Sequence, residues 1–357
     1  MANLYIISPE GFSGKSALCI GLGRQFQRDG FSVGYMKPVS TTAKRIAGHP
    51  VDEDAEFIRR MFNLAEPLDV LVPVCIEPFY IESALRGQRE DYASKVITAF
   101  KQASAGKDIM LLEGNSSLAS GSLVNLPPHE VARLLQAHVL LTVRYTSDLV
   151  VDAILASARI LGEAMLGCVI NAVPAGRMEF VKGVIIPFLE QRNIHVFAVL
   201  PQERILQSVS IRELTEALGG EVLCAESHLD ELVESLMVGA MSVESALSFF
   251  RRKANKAVIT GGDRPDIQLA ALETSTRCLI LTGNLYPSPI ILTRAEDLGV
   301  PMVLVKQDTL TAAQISQQFF EKPRFQQRKK LARFEQMLTE QFDFPSLYQA
   351  LNLKPSK

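Results

Sequence analysis

The amino-terminal sequence reads Ser8-Pro9-Glu10-Gly11-Phe12-Ser13-Gly14-Lys15-Ser16. It follows an apolar run at 4–7 and precedes an apolar helical pattern, which is the strand, loop and helix order of a phosphate-binding loop. In such a loop backbone N–H groups converge on the phosphates, Lys15 reaches the β- and γ-phosphate oxygens, and the Ser16 hydroxyl ligates Mg²⁺. The sequence therefore predicts binding of a nucleoside triphosphate such as ATP. The predicted nucleotide-binding residues of the loop are Gly11, Phe12, Ser13, Gly14, Lys15, Ser16 and Ala17.

The loop departs from the commonest pattern in its first turn. That pattern has a glycine five positions before Gly14, where this chain has Pro9. Two interpretations stay open on the residues alone: a nucleotide-binding loop, which the context favours, or a Gly-Lys-Ser sequence that merely caps a helix.

Length and composition describe a globular protein of two domains. The chain has 357 residues, of which 47% are apolar and 21% charged, enough for two ordinary cores. A formal net charge of −2 provides no overall field to attract nucleic acid or an anionic membrane, so neither is an expected partner. No apolar run approaches the roughly 18 residues of a membrane span. The five cysteines lack metal-type spacing and indicate buried thiols in a reducing cytoplasm.

Residues 1–205 alternate short apolar runs with helical patterns, which predicts an α/β domain with a parallel sheet of the P-loop NTPase type. The predicted strands lie at 4–7, 32–35, 109–112, 139–143, 168–170 and 196–199. The predicted helices lie at 17–29, 93–105, 128–136, 149–161 and 178–191. Because ligands of such sheets bind at the carboxyl ends of the strands, the loop at 8–16 is expected at that edge.

A second, smaller α/β domain is predicted over 206–320. Its predicted helices lie at 211–218, 265–273 and 289–298, and its predicted strands at 258–260, 278–282 and 302–305. Residues 321–357 are predicted to form a basic helical tail. A solvated helix face is the favoured interpretation of this tail, with docking on a partner as the alternative. The basic residues of the tail are Lys322, Arg324, Arg328, Lys329, Lys330 and Arg333.

Two acidic residues stand where strands are expected to end, and they are candidates to complete a Mg²⁺ site with Ser16. Glu113 directly follows the predicted strand at 109–112, and Asp54 lies in an acidic segment. Carboxylate oxygens suit a hard cation and can orient a water molecule. The alternatives are a solvent-exposed carboxylate for Glu113 and a helix N-terminal acid for Asp54.

Lys37 follows the second predicted strand and precedes a proline. A cation at this point would neutralise charge that develops on a transferred phosphoryl group. Lys37 therefore joins Lys15 as a candidate catalytic residue. A surface lysine beside a turn is the alternative interpretation.

The first half of the chain resembles dethiobiotin synthetase over most of residues 1–205. The resemblance rests on the joint order of short motifs, which is far more specific than any one of them. These motifs are Gly14-Lys15-Ser16, Lys37-Pro38-Val39, Asp54-Ala55, Glu113-Gly114, Val169-Ile170-Asn171 and Val199-Leu200-Pro201. The roles that the resemblance implies are phosphate and metal binding for Lys15 and Ser16, metal coupling for Asp54 and Glu113, a place near the transferred phosphoryl group for Lys37, and adenine recognition for Asn171.

The chain also departs from the synthetase pattern. Gly11 and Phe12 stand where the synthetase carries a threonine and a glutamate, so a polar pair that faces the reaction centre is lost. Its glycine-rich segment after the acidic residue becomes Asn115-Ser116-Ser117. Because a phenylalanine side chain accepts no hydrogen bond, the nucleotide pocket can survive without the ligase chemistry. The chain is therefore not expected to be a dethiobiotin synthetase.

The second half resembles the domain named for its Asp-Arg-Thr-Gly-Gly signature. The motifs that carry this resemblance are the segment 258–267, which includes Gly-Asp-Arg-Pro-Asp, then 278–283, 299–303 and 308–309. Both domains in this order resemble the amino-terminal regulatory half of long phosphotransacetylases, over nearly all of residues 1–320. The acetyl-transferring domain is missing from the sequence, so acetyl transfer by this chain alone is not expected.

A glycine-rich turn in the second domain is a candidate anion site. It follows a predicted strand and leads into a predicted helix, so its N–H groups and Arg264 could grip an anion, with the end of the next strand lining the same cleft. The alternative is a turn network of Asp263 and Arg264 that holds strand to helix. The predicted ligand-site residues are Gly262, Asp263, Arg264, Asp266, Thr282 and Gly283.

Three functional hypotheses stay open on the sequence. The first is a regulatory protein that binds Mg·ATP, senses a metabolite and adjusts a partner enzyme of the phosphotransacetylase type. The second is an ATPase or ATP-dependent ligase that activates a carboxylate by phosphorylation. The third is a scaffold with a decayed loop, whose stability would not respond to ATP. Synthetase relatives are dimers, which leaves a homodimer open by analogy.

Overall fold

The structure is a computed structural model that describes residues 1–46, 49–87, 90–321, 325 and 327–355. Its contacts divide the chain into two compact units. The first unit comprises residues 1–202 together with 331–357, and the second comprises residues 203–330. No helix in the described ranges is both long and apolar enough to cross a bilayer.

The first unit is built on a six-stranded sheet in which every pairing is parallel. The strands of this unit are β1 (Ala2–Ile7), β2 (Val33–Met36), β3 (Val39–Ser40), β4 (Lys44–Ile46), β5 (His49–Val51), β6 (Val74–Cys75), β7 (Ile109–Glu113), β8 (His138–Arg144), β9 (Met165–Val173) and β10 (His195–Pro201). The order across the sheet is β10-β9-β8-β1-β7-β2, while β3 pairs with β6 and β4 with β5. The chain departs to both sides of β1, so the carboxyl end of β1 is the switch point at which such sheets bind ligands.

Helices cover both faces of this sheet. They are α1 (Lys15–Arg28), α2 (Glu53–Phe62), α3 (Leu68–Leu71), α4 (Pro78–Leu85), α5 (Tyr92–Ala103), α6 (Pro128–Leu134), α7 (Val150–Leu161), α8 (Met178–Phe180) and α9 (Ile186–Glu190). The single helix predicted at 178–191 is wrong in one respect, because a π-helical turn at Val181–Ile185 separates α8 from α9. Pro187 has no N–H to donate to the carbonyl four residues earlier, which breaks the regular α-helical ladder there.

Alternation along the strands produces the two faces. Tyr5 and Ile7 belong to one large core together with Leu112 and Leu141. The intervening residues Leu4 and Ile6 are fully buried as well, on the face where α1 packs over β1 and β7. A strand buried on both faces reads as a continuous apolar run, and such runs predicted all six strands of this sheet. The α/β class and the parallel sheet are confirmed.

The second unit contains a five-stranded sheet in the order β12-β17-β16-β15-β14, with β12 antiparallel to β17. Its strands are β11 (Val209–Ser210), β12 (Glu221–Cys224), β13 (Leu232–Val233), β14 (Ser235–Val238), β15 (Lys256–Gly261), β16 (Thr276–Thr282) and β17 (Met302–Leu304). Its helices are α10 (Arg204–Gln207), α11 (Ile211–Leu218), α12 (Val243–Phe250), α13 (Pro265–Leu272), α14 (Pro289–Asp297) and α15 (Thr309–Glu321). Two separate apolar cores contain alternate residues of β15, with Val258 in one and Ile259 in the other. This sheet is therefore also covered by helices on both faces.

The end of the chain differs from the predicted solvated tail. Two helices, α16 (Arg328–Gln341) and α17 (Phe344–Ala350), occupy this region, and residues from 331 onward belong to the first unit. Phe334 and Leu338 are buried. They lie so close to Gly21 of α1 that a Cβ atom at this position would clash with Leu338. In the sequence, the many charged residues of α16 obscure the apolar residues that form its buried face. Lys322 and Arg324 of the predicted tail lie outside the described residues.

Lys330, one of the basic residues of the predicted tail, is fully buried. Its Nζ atom donates a hydrogen bond to the Ser208 carbonyl at 2.5 Å. Burial lowers the pKa of the Lys330 ammonium to about 8. This lysine is thus a structural residue of the second unit.

Gly21→Ala should destabilise the first unit, because a Cβ atom would lie 2.2 Å from Cδ1 of the buried Leu338. Overpacking of this kind costs about 1–3 kcal/mol of the free energy of unfolding, measured from the urea transition of the full chain. Gly183→Ala is the matched control, since no atom lies within 4 Å of its Cβ position, and a helical Gly→Ala change there should stabilise by up to about 1 kcal/mol. Equal effects of the two changes would contradict the packing of α16 on α1.

The free energy of unfolding of Lys330→Met should depend on pH differently from that of wild type. The pKa of Lys330 is about 8 in the folded protein and about 10.4 in an unfolded chain. Between these values the unfolded state binds more protons, so wild-type stability rises with pH relative to the variant. From pH ~7 to pH ~9.5 the difference in the free energy of unfolding should shift by about 2 kcal/mol in favour of wild type. A difference that stays constant over this range would show that Lys330 is solvated.

Candidate functional site

The phosphate-binding loop predicted from the sequence connects β1 to α1 at the carboxyl edge of the sheet. Gly14 is the N-cap of α1 and has a φ of 96°, a left-handed conformation that glycine adopts without strain. Within the described residues, the N–H groups of Gly14, Lys15 and Ser16 have no hydrogen-bond partner. Unpaired N–H groups at the positive end of a helix form a site for an anion.

Two neighbouring strands hold this loop in place through one carbonyl group. The Ser13 carbonyl accepts hydrogen bonds from Nδ2 of Asn171 at 2.8 Å and from Oγ1 of Thr142 at 3.3 Å. A Cβ atom on Gly14 would lie 2.4 Å from Nδ2 of Asn171, so only glycine permits this close approach. Asn171 therefore positions the loop, a role that the sequence did not predict, as it did not predict Thr142.

Phe12 stands at the tip of the loop. It has a φ of 56°, a left-handed conformation that is rare for a residue with a Cβ atom, and its side chain is 57% exposed. The ring therefore faces solvent at the mouth of the site, where it offers a ligand an apolar contact and no hydrogen bond.

Lys15 and Ser16 point into the site from the first turn of α1. Lys15 is buried, and its Nζ donates to the Glu10 carbonyl at 3.3 Å. Burial lowers the pKa of the Lys15 ammonium, while the charge of Glu113 opposes that shift. The Ser16 hydroxyl donates to Oε1 of Glu113 at 2.5 Å, which brings a predicted phosphate ligand and a predicted metal ligand together.

Glu113 ends β7 and is only 2% exposed, so the alternative of a solvated strand-end carboxylate is wrong. Its Oε2 accepts a hydrogen bond from the hydroxyl of Tyr35 at 2.7 Å. Burial, followed by the charge of Glu113, raises the pKa of Tyr35 well above its ordinary value and keeps it a donor. The sequence analysis missed Tyr35. Tyr35 and Lys37 are two residues apart, and residues at this spacing lie on the same face of an extended strand.

Lys37 forms a buried ion pair. Its Nζ lies 2.7 Å from Oδ2 of Asp52, and both side chains are almost entirely buried, which excludes the surface-lysine alternative. Asp52 also accepts from the Ser40 hydroxyl at 2.6 Å and, as the N-cap of α2, from the N–H of Ala55 at 3.0 Å. Burial opposes the charge on Lys37, but the carboxylates of Glu113 and Asp52 outweigh it and raise the pKa of Lys37. Asp52, like Thr142 and Tyr35, was missed by the sequence analysis.

Asp54 lies in the first turn of α2 and its side chain is exposed. Although the side chain reaches solvent, desolvation by the surrounding protein, followed by the charge of Glu113, raises the pKa of Asp54 to about 6. Among the described residues no three His, Cys, Asp or Glu side chains are grouped to hold a metal ion. Two carboxylates and the Ser16 hydroxyl still suit Mg²⁺, which takes few protein ligands and completes its shell with water and phosphate oxygens.

The predicted ligand site of the second unit is organised differently. The guanidinium of Arg264 pairs with Asp266 at 2.9 Å and donates to the Met241 carbonyl at 3.0 Å, so it is engaged within the fold. Asp263 is exposed and is not part of that pair, so the acidic partner of Arg264 differs from the one in the alternative interpretation, a turn network of Asp263 and Arg264. A Cβ on Gly262 would lie 1.7 Å from the Leu285 carbonyl oxygen, so this glycine serves the close approach of two backbones.

The end of the next strand completes that region. The hydroxyl of the buried Thr282 lies 2.9 Å from that of Thr309 and donates to the Thr260 carbonyl at 3.3 Å. Gly283 follows with a φ of 79° and donates its N–H to the Gln307 carbonyl. These groups meet at one edge of the sheet, yet their polar atoms already have partners within the fold.

Family models match both parts of the chain. Residues 2–210 match the model of an AAA domain, and residues 213–319 match the DRTGG domain. These matches confirm the resemblance to the amino-terminal half of long phosphotransacetylases.

Curated relatives carry the same resemblance. The phosphate acetyltransferase of Nitratidesulfovibrio vulgaris is 25% identical over 90% of this chain and 47% of its own length. That of Pseudomonas putida is 24% identical over 80% of this chain and 41% of its own length. The ATP-dependent dethiobiotin synthetase of Caldicellulosiruptor saccharolyticus is 27% identical over 33% of this chain and 50% of its own length. The chain thus spans less than half the length of these two phosphate acetyltransferases.

Solved structures are similar only at a low level. The cell division protein FtsY of Thermotoga maritima is 15% identical, with a TM-score of 0.38 over 57% of this chain and 62% of its own. The CBS and DRTGG domains of the regulatory region of Clostridium perfringens pyrophosphatase are 18% identical, with a TM-score of 0.27 over 40% of this chain and 70% of that one. At these scores the likeness says nothing of function.

Asp52→Ala should lower the free energy of unfolding of the first unit by about 3–5 kcal/mol, because it leaves the buried ammonium of Lys37 without its counter-ion. Urea denaturation of the full chain measures the change. Glu82→Ala is the control, since it breaks an exposed pair with Arg86 and should cost less than about 1 kcal/mol. Adding Lys37→Met to Asp52→Ala should recover part of the loss; a double variant no more stable than the single one would contradict the buried pair.

Proposed function

The chain belongs to the AAA-domain family, and from that premise we propose that it is a regulatory protein that binds Mg·ATP in its first unit. One observation carries the proposal: the N–H groups of Gly14, Lys15 and Ser16 have no partner among the residues that the structure describes, and they lie at the start of α1 beside the buried ammonium of Lys15. Donors and a cation arranged in this way suit the phosphates of a nucleotide. Asn171, beside the loop, is the proposed contact to adenine.

Magnesium belongs to the same proposal. Ser16, Asp54 and Glu113 would hold the ion together with phosphate oxygens, and the bound ion would neutralise charge on the phosphates. The raised pKa of Asp54, caused by lost hydration and by Glu113, supports this assignment, because a cation relieves the repulsion between two neighbouring carboxylates. Ser16 would exchange its hydrogen bond to Glu113 for the metal.

The side chain at the tip of the loop supports the regulatory role. Phe12 faces solvent at the mouth of the site and offers no hydrogen bond to a nucleophile or to a phosphate-bound water. We propose that ATP binding in the first unit is coupled to a metabolite in the second unit, so that each ligand changes the affinity of the other equally. The proposed partner is an enzyme of the phosphotransacetylase type, and the five cysteine thiols favour a cytoplasmic location.

A second function is favoured by Lys37. Its ammonium is buried at the end of β2 and lies within the electrostatic reach of Glu113, where a cation would stabilise a phosphoryl group during transfer. An ATP-dependent ligase that activates a carboxylate would use it in this way. Substrate-dependent release of ADP distinguishes this function from regulation.

Lys15→Ala should abolish the stabilisation that Mg·ATP confers. A hundredfold excess of ATP over its dissociation constant should add about 3 kcal/mol to the free energy of unfolding of the wild type, visible as a rise in the thermal midpoint. The control is Lys101→Ala, which replaces an exposed lysine of α5 and should leave the rise intact. Unchanged stabilisation of the Lys15 variant would refute the nucleotide site, and absence of ADP release above the Lys15→Ala blank would favour regulation over ligation.

A further inference from the structure

Arg144 is the last residue of β8, directly beside the loop that begins α1. The residue is half-buried. Within the described part of the chain its guanidinium forms no hydrogen bond or ion pair. An unpaired guanidinium at this position keeps its planar fork of N–H donors available to an oxyanion.

The strand geometry shows which way this side chain points. Thr142, two residues earlier, reaches the Ser13 carbonyl, and residues i and i+2 of a strand lie on the same face. Arg144 is also in register with Asn171 of β9, whose amide holds the same carbonyl. The Arg144 side chain therefore leaves the strand on the face of the sheet that carries the loop and α1.

The backbone of Arg144 is itself tied to the loop. Its N–H donates to Oε1 of Glu10 at 2.8 Å. Since this contact uses the main chain, a substitution of the side chain leaves it in place. The position of the loop and the charge of the guanidinium can therefore be tested separately.

The other cations of the site are already engaged. Lys37 is paired with Asp52, and Lys15 donates to the Glu10 carbonyl. In the order β8-β1-β7-β2, Arg144 ends β8 and Lys37 directly follows β2, so the two cations belong to strands on opposite sides of β1. Arg144 differs from both lysines because its planar fork can bind two oxygens of one oxyanion.

We infer that Arg144 binds a phosphate oxygen of the nucleotide held by the loop at 8–16. The inference rests on the proposed function, since it requires a phosphate ligand there. It adds a residue that neither the loop motif nor the resemblance to dethiobiotin synthetase indicated. Its contribution should depend on the phosphate chain and not on the base or ribose.

The test compares Arg144→Gln and Arg144→Lys with wild type by calorimetric titration of the full chain at one fixed salt concentration. The probes are Mg·ATP, tripolyphosphate and adenosine. A lost charge-assisted hydrogen bond should weaken ATP and tripolyphosphate about 10- to 100-fold in Arg144→Gln and leave adenosine unchanged. Arg144→Lys should fall between the two, since it keeps the charge and loses the fork.

Arg133→Gln is the matched control, because Arg133 is exposed on α6 and pairs with Glu130. It should bind all three probes as wild type does. If wild type binds neither ATP nor tripolyphosphate, the proposed function fails. The thermal midpoint without ligand shows whether Arg144→Gln is folded, and it should equal that of wild type. If this folded variant binds ATP and tripolyphosphate as well as wild type does, the inference on Arg144 is overturned while the nucleotide site stands. Equal weakening of adenosine would overturn it too, since a phosphate contact cannot cause that.

Discussion

The carbonyl group of Ser13 fixes the geometry on which the site depends. Thr142 from β8 and Asn171 from β9 donate to this one oxygen, and the absent side chain of Gly14 permits the approach. With the loop held in this way, its later N–H groups at the start of α1 have no partner within the described part of the chain. If side chains of the loop accepted hydrogen bonds from these N–H groups, the same sequence would cap a helix and form no anion site. The fit between the loop and the two strands therefore separates a phosphate-binding loop from a simple helix cap.

Charge balance explains why acidic residues surround a site proposed for a polyanion. Buried carboxylates need a partner, and the two buried ones here, Asp52 and Glu113, have partners of different kinds. Asp52 has the ammonium of Lys37, and Glu113 has two hydroxyl donors, from Ser16 and Tyr35. Asp54 has no such partner among the described residues, and its raised pKa, due to lost hydration and then to Glu113, records that imbalance. A divalent cation would complete the set.

The sequence was most informative where chemistry is local. The loop, the strands around it and the acidic end of β7 follow from contiguous motifs, because strand, turn and helix signals lie within a few residues of one another. Tyr35, Asp52, Thr142 and Arg144 could not be found in this way, since their roles depend on which strands become neighbours in the sheet. Alternation predicts the face on which a side chain lies, but not the strand beside it. The end of the chain was misjudged for a related reason, because α16 combines exposed charges with an apolar stripe that only packing reveals.

The two units differ in whether the polar groups of their glycine-rich turns have hydrogen-bond partners. In the first unit the N–H donors at the start of α1 have no partner among the described residues, so an anion can accept hydrogen bonds from them without displacing a protein contact. In the second unit Arg264 is held by Asp266 and by the Met241 carbonyl, so an anion that used this guanidinium would first have to break an ion pair. That exchange lowers affinity unless the anion forms better contacts than the carboxylate does. If the second unit binds a metabolite, it therefore either uses other groups or rearranges at Arg264 on binding. The latter would change the contacts of α13, which is the kind of structural difference that coupling to a distant site requires.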